Sequence, residues 1–163
     1  MAFKKKFPYK AALVACNGSC GATREEPKCA YGCLGCGACV SACKFGAIHL
    51  NDNGVADVEE EKCVACGACA RACPQHIIRI HECANYIVVK CANHDKGAEA
   101  RKECNVSCIG CGICQKTCTA GAIRVQENCA VIDETYCLSC GMCSVKCPRH
   151  AIYDLRGILT AKA

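Results

Sequence analysis

The chain has 163 residues, of which 23 are cysteine and none is tryptophan. Its length leaves room for one ordinary domain or two small ones, and it has no run of 18 apolar residues, which excludes a membrane-spanning helix within this sequence. Cysteine at this density is typical of secreted disulfide scaffolds, zinc modules and iron–sulfur proteins.

The cysteine spacing C-x3-C-x2-C-x2-C-x3-C occurs twice, beginning at Cys29 and again 75 residues later at Cys104. Two further C-x2-C-x2-C triplets begin at Cys63 and Cys137, and each leads to a Cys-Pro pair. The odd cysteine count, the tight triplets and the lack of an apolar segment with a cleavage site after Met1 argue against a disulfide framework. A zinc module needs separated C-x2-C pairs with no third cysteine in step, so the spacing favours iron–sulfur clusters.

In chain order, the basic residues 1–10 predict a solvated terminus, with a weak interfacial anchor as the alternative. The apolar run 11–16 predicts a buried strand that ends before the turn-forming residues 17–19. Residues 77–80 predict a closing strand, and we expect them to pair with residues 13–16.

Two hairpins are predicted, each placed just before a cysteine triplet. The first joins residues 47–50 to residues 55–58 through an Asn-Gly-containing turn, and the second joins residues 122–125 to residues 130–133. The charged segment 95–103 predicts a helix of about two turns.

The second half of the sequence repeats the first. Residues 86–91 occupy the place of residues 11–16 at an offset of 75, and residues 151–155 predict the strand that closes the second half. A repeat of this length predicts duplication of one folded unit. The expected organisation is a basic N-terminal segment at 1–10, one module at 11–81, a second at 82–156 and a tail at 157–163.

The run C-x2-C-x2-C-x3-C-P is that of bacterial ferredoxins, in which three cysteines bind one [4Fe–4S] cluster and the fourth binds its neighbour. We therefore predict an α+β fold built by tandem duplication of a bacterial 2[4Fe–4S] ferredoxin-like module. The predicted ligands of its four [4Fe–4S] clusters are Cys33, Cys36, Cys39 and Cys73 for cluster one, Cys63, Cys66, Cys69 and Cys43 for cluster two, Cys108, Cys111, Cys114 and Cys147 for cluster three, and Cys137, Cys140, Cys143 and Cys118 for cluster four. Glycines in the four loops suit close approach of the backbone to a cluster: Gly35, Gly37, Gly67, Gly110, Gly112 and Gly141. Lys44 and Thr119 stand where the pattern often has proline, which changes local geometry and removes no ligand.

The formal net charge of +5 counts every thiol as neutral. Four oxidised clusters at about −2 each, ligands included, bring the total to about −3. With no aromatic-rich basic stripe present, the charge excludes nucleic-acid binding.

Seven cysteines lie outside the predicted ligand sets: Cys16, Cys20, Cys29, Cys83, Cys91, Cys104 and Cys129. Cys83 and Cys129 lack a counterpart in the repeat and are expected to be buried apolar residues. Cys16 and Cys29 recur as Cys91 and Cys104, and the open interpretations are packed thiols, a redox-active disulfide or an extra metal site. We expect Cys104 not to be a ligand. Cys16, Cys20, Cys29 and Cys83 form a conceivable fifth cluster set, which an iron content near twenty per chain would support.

No catalytic residue is predicted, and no activity is expected of the chain alone. Nucleotide-binding loops of the G-x-G-x-x-G or P-loop type are absent. The five histidines form no triad-like set, and each is expected at the surface or at a strand end.

Several sequence segments resemble the B subunit of Rnf-type electron transport complexes: Cys16-Asn17-Gly18-Ser19-Cys20, the run from Cys29 to Gly37, and Asp95-Lys96-Gly97 ahead of Cys104. The resemblance extends from about Val14 to Leu155. It implies low-potential electron relay between ferredoxin-like donors and a flavin- or nicotinamide-linked partner complex. Members of this family usually begin with a membrane helix and a further cluster domain, so this sequence is expected to be a soluble relative or an excised part, and ion pumping is not carried over.

The main functional prediction is electron transfer as one subunit within a larger complex, with a flavoprotein or ferredoxin as redox partner. The expected location is the cytoplasm, alone or docked on a membrane complex. The alternative is the iron–sulfur subunit of a formate dehydrogenase or hydrogenase, although such subunits commonly nest one module within another. Metal storage or sensing would not need strands that hold every cysteine in place.

Overall fold

The computed structural model describes residues 9–18 and 29–159 of the chain. Within these residues the elements are β1 (Lys10–Val14), α1 (Ala38–Ala42), β2 (Ile48–Leu50), β3 (Ala56–Val58), α2 (Ala68–Ala72), β4 (Ile78–Glu82), β5 (Ile87–Val89), α3 (Gly97–Glu103), α4 (Ile113–Thr117), β6 (Ile123–Gln126), β7 (Cys129–Ile132), α5 (Met142–Val145) and β8 (Ile152–Asp154). The interpretations of residues 1–8, of Cys20 and of residues 160–163 lie outside the described part. We call the described residues up to 82 the first half and residues 87–159 the second half.

The first half is closed by an antiparallel pair formed by its two end strands, β1 and β4. Lys10 lies opposite Glu82 and Val14 lies opposite Ile78. The predicted pairing of these segments is confirmed, but β1 ends at Val14, two residues earlier than predicted. One residue beyond the strand, the Ala15 N–H donates a hydrogen bond to the Ile77 carbonyl at 2.8 Å.

The predicted hairpin of the first half is formed by β2 and β3, with Ile48 opposite Val58. Asn51 stabilises its turn, because its side-chain oxygen accepts hydrogen bonds from the N–H groups of Asn53 at 3.0 Å and Val55 at 3.1 Å. Asparagine favours such turns because its short side chain can bond the backbone two residues on.

The second half has the same arrangement of strands. β5 pairs antiparallel with β8, and β6 pairs with β7 in the second predicted hairpin. The predicted charged helix is confirmed as α3, which begins at Gly97. The molecule is thus of mixed helix and strand class, with two-stranded sheets and short helices.

Small side chains dominate the interior. Of the 28 buried apolar residues in the described part, eight are cysteine and eight are alanine. The larger apolar residues form one group around Ile48 and Ile78 in the first half and another around Ile87 and Ile152 in the second. Such interiors bury little apolar area for each residue that folding must order.

Polar contacts connect the two halves. The Glu82 N–H donates to the Glu134 carboxylate at 3.0 Å, and the side chain of Asn85, in the segment between the halves, donates to the Glu134 carbonyl at 2.9 Å. Lys90 forms an ion pair with Asp57 at 3.6 Å. Across residues 9–18 and 29–159, no helix is both long and apolar enough to cross a membrane.

A pair of glycine variants tests how tightly the first hairpin packs on the cysteine loop. A Cβ at Gly35 would lie 2.6 Å from the Gly54 carbonyl oxygen, whereas a Cβ at Gly37 would meet nothing within 4 Å. Both residues have positive φ, at 61° and 73°. Gly37→Ala should therefore cost about 1–2 kcal/mol for its backbone conformation, and Gly35→Ala roughly 1–3 kcal/mol more for the clash.

The measurement is the thermal midpoint of anaerobically purified protein, and Gly37→Ala is the matched control. Equal thermal midpoints for the two variants would show that the hairpin turn can move away from the added methyl group without loss of stability.

Candidate metal centres

The four cysteine triplets have the same local backbone conformation. A glycine with φ of 73° lies two residues before the third cysteine of every triplet: Gly37, Gly67, Gly112 and Gly141. A short helix begins immediately after each of these glycines. This helix carries the third cysteine near its start and leads to the remote cysteine that follows the triplet.

Backbone N–H groups point at the sulfurs of these loops. The Gly35 N–H donates to the Cys33 sulfur at 3.5 Å, and the Ala65 N–H donates to the Cys63 sulfur at 3.4 Å. In the fourth triplet the Ser139 N–H donates to Cys137 at 3.4 Å. Hydrogen bonds of this kind stabilise thiolates and help to set the potential of a bound cluster.

The cysteines predicted to hold cluster one surround a single cavity. Its lining includes Cys33, Cys36, Cys39 and Cys73, and the space between protein atoms, part of it open to solvent, is about 350 Å³. Burial raises the pKa of Cys39, and the nearby Cys33 and Cys73 sulfurs raise it further.

Three of the four cysteines predicted to hold cluster two lie near one another. Burial raises the pKa of Cys69, with contributions from Cys63 and Cys43, so the sulfur beyond α1 reaches the second triplet. The Cys63 sulfur also accepts the Ala12 N–H of β1 at 3.3 Å. This bond ties the loop to the closing sheet of the first half.

Two cavities in the second half have corresponding linings. One, of about 340 Å³, is lined by Cys108, Cys111, Cys114 and Cys147, and the other, of about 390 Å³, is lined by Cys118, Cys137, Cys140 and Cys143. Burial raises the pKa of Cys114 to about 11 and that of Cys143 to about 12. The Cys114 sulfur contributes to the shift at Cys143, so the two sets are neighbours.

The distances between sulfurs distinguish a cluster from a single metal ion. A tetrahedral zinc site with Zn–S bonds of about 2.3 Å places its sulfurs about 3.8 Å apart. In the described part of the chain, only Glu60, His81 and Cys83 bring three ligand-type atoms within 4.8 Å of one another. Four thiols surround each of these cavities, and their sulfurs are too far apart to bind a single ion. Backbone N–H groups donate to several of the sulfurs. This arrangement fits a [4Fe–4S] cluster.

Comparison with known proteins agrees with this geometry. Residues 32–77 match the 4Fe-4S dicluster domain family, and residues 107–121 and 130–153 match 4Fe-4S binding domain families. This chain carries 4Fe-4S ferredoxin-type domains.

Two relatives place these ferredoxin-type domains in a larger context. The chain is 43% identical over 143 residues to the B subunit of the Na⁺-translocating ferredoxin:NAD⁺ oxidoreductase complex of Acetobacterium woodii, an alignment that covers 88% of this chain and 41% of the relative. It is also 43% identical over 143 residues to the B subunit of the ion-translocating oxidoreductase complex of Methanosarcina acetivorans, which covers 88% of this chain and 52% of the relative. The chain resembles the cysteine-rich part of these B subunits and spans about half of their length.

A solved complex of formate dehydrogenase, heterodisulfide reductase and formylmethanofuran dehydrogenase from Methanospirillum hungatei also aligns with the ferredoxin-type domains. The alignment covers 75% of this chain and 51% of that one, with 20% identity and a TM-score of 0.30. A superposition this loose carries no argument about function.

The sequence suggested Cys16, Cys20, Cys29 and Cys83 as a set of ligands for a fifth cluster, and the structure places Cys83 elsewhere. Cys83 lies beside Glu60 and His81, whereas Cys16 and Cys29 line a further cavity together with Cys91 and Cys104. Cys20 lies outside the described residues. Sequence spacing could not reveal the grouping of Cys16 and Cys29 with Cys91 and Cys104, because this cavity lies between the two halves.

Cys129 is buried as predicted, but it has a polar contact that the sequence did not reveal. Its single S–H can donate to the Cys91 carbonyl, 3.4 Å away, or to the neighbouring sulfur of Cys91 or Cys108. These bonds raise its own pKa strongly, and they lower the pKa of Cys91 to about 7 and that of Cys108 to about 6. Cys129 is therefore a neutral donor between two thiolate-prone sulfurs.

His81 is not the surface or strand-end residue that the sequence predicts. It lies within β4 opposite Ala11 and is 1% exposed. Among the described residues, neither of its ring nitrogens has a hydrogen-bond partner, and Glu60 is 3.8 Å from its Nε2 atom. The Glu60 carboxylate and the Cys83 sulfur each lie within 4.8 Å of an imidazole nitrogen of His81, so segments on both sides of it along the chain surround the ring.

The burial of His81 predicts a pH dependence of stability. Burial lowers the pKa of His81 below its usual 6.5, and it outweighs the opposing influence of Glu60 and Glu134. Because the unfolded chain then binds a proton before the folded chain does, the stability contributed by neutral His81 is present above about pH 6.5 and is lost as the pH falls.

Between about pH 7.5 and 5.5, the thermal midpoint of the parent should fall more than that of His81→Leu. His49→Leu, at an exposed position, is the control and should keep the parental dependence. Identical pH profiles for the parent and His81→Leu would contradict the assignment.

Proposed function

We propose that the chain relays single electrons at low potential between ferredoxin-like donors and a flavin- or nicotinamide-linked partner complex. The observation that carries the proposal is the set of four-cysteine groups, each gathered from one triplet and one remote cysteine. We assign the ligands of four [4Fe–4S] clusters as the spacing predicts. When bound, a [4Fe–4S] cluster supplies a one-electron couple whose potential depends on hydrogen bonds to sulfur, net charge and exposure.

The chain's own residues would hold these clusters near one another and near the surface. α1 packs against α2 and α4 packs against α5, which places the two cysteine sets of each half side by side. The middle cysteine is exposed in three of the triplets, at Cys66, Cys111 and Cys140. Clusters held there would lie within reach of a docked redox protein.

We further propose that the chain consists of two ferredoxin-like modules, at 11–81 and 82–156, that arose by tandem duplication. The equivalent pairs β1–β4 and β5–β8, and the equivalent hairpins, support this proposal. The relatives named above support a role within an oxidoreductase complex.

Anaerobic titration tests the proposed electron transfer. The purified chain should show visible iron–sulfur absorption that dithionite bleaches, and reduced ferredoxin should bleach it as well. Reoxidation by a co-purifying flavoprotein is the expected outcome for the partner. A chain without iron, or one whose absorption neither reductant changes, would contradict the function, and co-purification with a molybdopterin protein would favour a formate dehydrogenase-type complex instead.

A further inference from the structure

A cavity at the junction of the two halves is lined by four cysteines outside the four predicted cluster sets. Cys16 and Cys29 come from the first half, and Cys91 and Cys104 come from the second. The space between protein atoms is about 350 Å³, against about 340 to 390 Å³ at the three cavities lined by predicted ligands. The junction therefore resembles those sites in its four-cysteine lining and in the space, partly open to solvent, that the cysteines surround.

The two halves contribute equivalent residues to this cavity. Cys16 and Cys91 each lie two residues beyond the first strand of their half, which ends at Val14 or Val89. Cys29 and Cys104 each lie four residues before the first cysteine of a triplet. The junction set is thus completed only when both halves are present.

The sulfurs at the junction accept the same kind of hydrogen bond as the triplet sulfurs. The Cys91 sulfur accepts the Asn93 N–H at 3.4 Å, and the Cys29 sulfur accepts the N–H of Tyr31. In both cases the donor lies two residues further along the chain, as it does at Cys33, Cys63 and Cys137. The Asn93 side chain also donates to the Cys29 sulfur at 3.4 Å, so it connects the two halves at this cavity.

The geometry does not suit the other interpretations of these cysteines. No three of the four sulfurs lie within 4.8 Å of one another, whereas a single zinc ion would need about 3.8 Å between them. No disulfide joins two of the described cysteines. All four residues are partly exposed, unlike thiols that serve only to fill a core.

We propose that Cys16, Cys29, Cys91 and Cys104 hold a fifth [4Fe–4S] cluster at the junction of the two halves. The proposal goes beyond the four-cluster function, and it replaces the expectation that Cys104 is not a ligand.

The junction set also lies next to the predicted cluster-three ligands. The Cys91 sulfur accepts the Cys108 N–H at 3.3 Å. Arg149, two residues after Cys147, donates to the Cys104 carbonyl at 2.7 Å. A cluster here would adjoin the cluster-three site and join the two halves through metal–sulfur bonds.

The first test is the iron and acid-labile sulfide content of the anaerobically purified parent chain. A fifth cluster predicts about twenty of each per chain, and four clusters predict about sixteen. A content of about sixteen irons, with or without one zinc ion, overturns the inference and leaves the proposed electron-transfer function intact. Loss of all iron-binding capacity would overturn both.

Variants of Cys104 and Cys83 locate the additional irons. Cys104→Ala should lose about four irons, whereas Cys83→Ala, at a buried cysteine beside Glu60 and His81, should keep the parental content. Equal iron in the parent and in Cys104→Ala would overturn the assignment.

Alkylation of the native parent provides evidence that does not depend on folding of a variant. Cys16, Cys29, Cys91 and Cys104 should resist iodoacetamide until the iron is removed, even though they are partly exposed. Rapid labelling of all four in the iron-loaded protein, or protection lost on reduction of a disulfide while the iron stays bound, would overturn the inference.

Discussion

Removal of iron is expected to unfold the chain, with loss of most of its far-UV circular dichroism signal. The longest helix in the described part has seven residues and the longest strand has five, whereas isolated helices need roughly 12–15 residues to be even marginally stable in water. The interior cannot compensate, because more than half of its buried apolar residues are cysteine or alanine. Bonds from the chain to the clusters must therefore supply the missing stability.

The measurement is circular dichroism before and after anaerobic chelation of iron, with the reductant held constant. Reconstitution with iron and sulfide should restore the signal, which separates unfolding from chemical damage. If the iron-free chain kept its native spectrum, the strands and their packing would be sufficient to keep the chain folded without metal.

Replacing a remote cysteine should empty one predicted site and spare its neighbours. Cys73 and Cys83 make a matched pair, because they are ten residues apart and are 8% and 6% exposed. Only Cys73 lines a cavity with a triplet. Cys73→Ala should lose about four irons per chain and lower the thermal midpoint, because three cysteines and a cavity of about 350 Å³ are left without their metal.

Cys83→Ala should retain the parental iron content and lose only the modest stability expected from trimming one buried thiol. Metal analysis and the visible spectrum of the two variants decide the result. If Cys73→Ala kept the parental iron, the fourth ligand of cluster one would have to come from another residue.

Much of the fold follows from local signals in the sequence. The Asn-Gly-containing turn and its flanking apolar residues predicted the first hairpin, and the structure confirms it as β2 and β3. The pairing of the terminal strand with residues near Ile78 was also correct. The predicted end of β1 was wrong, because the strand ends at Val14 although the apolar run continues to Cys16.

The side chains that the sequence misjudged are those whose surroundings come from distant segments. His81 resembles any polar residue in a short strand, and only the structure shows that its side chain is buried with the Glu60 carboxylate 3.8 Å away. Cys129 has no counterpart in the repeat, and only the structure shows its thiol between Cys91 and Cys108. Neither environment leaves a periodic signal along the chain.

The amino-acid sequence by itself determined the local chemistry of the triplets, because ligands separated by two residues in one short loop must face a common centre whatever surrounds them. It also specified the repeat, and therefore which strands and hairpins correspond. Tertiary structure alone decided the grouping of Cys16, Cys29, Cys91 and Cys104, which come from four separate segments spread over both halves. The physical reason is that this cavity exists only when the ends of β1 and β5 and the two segments ahead of the triplets pack together.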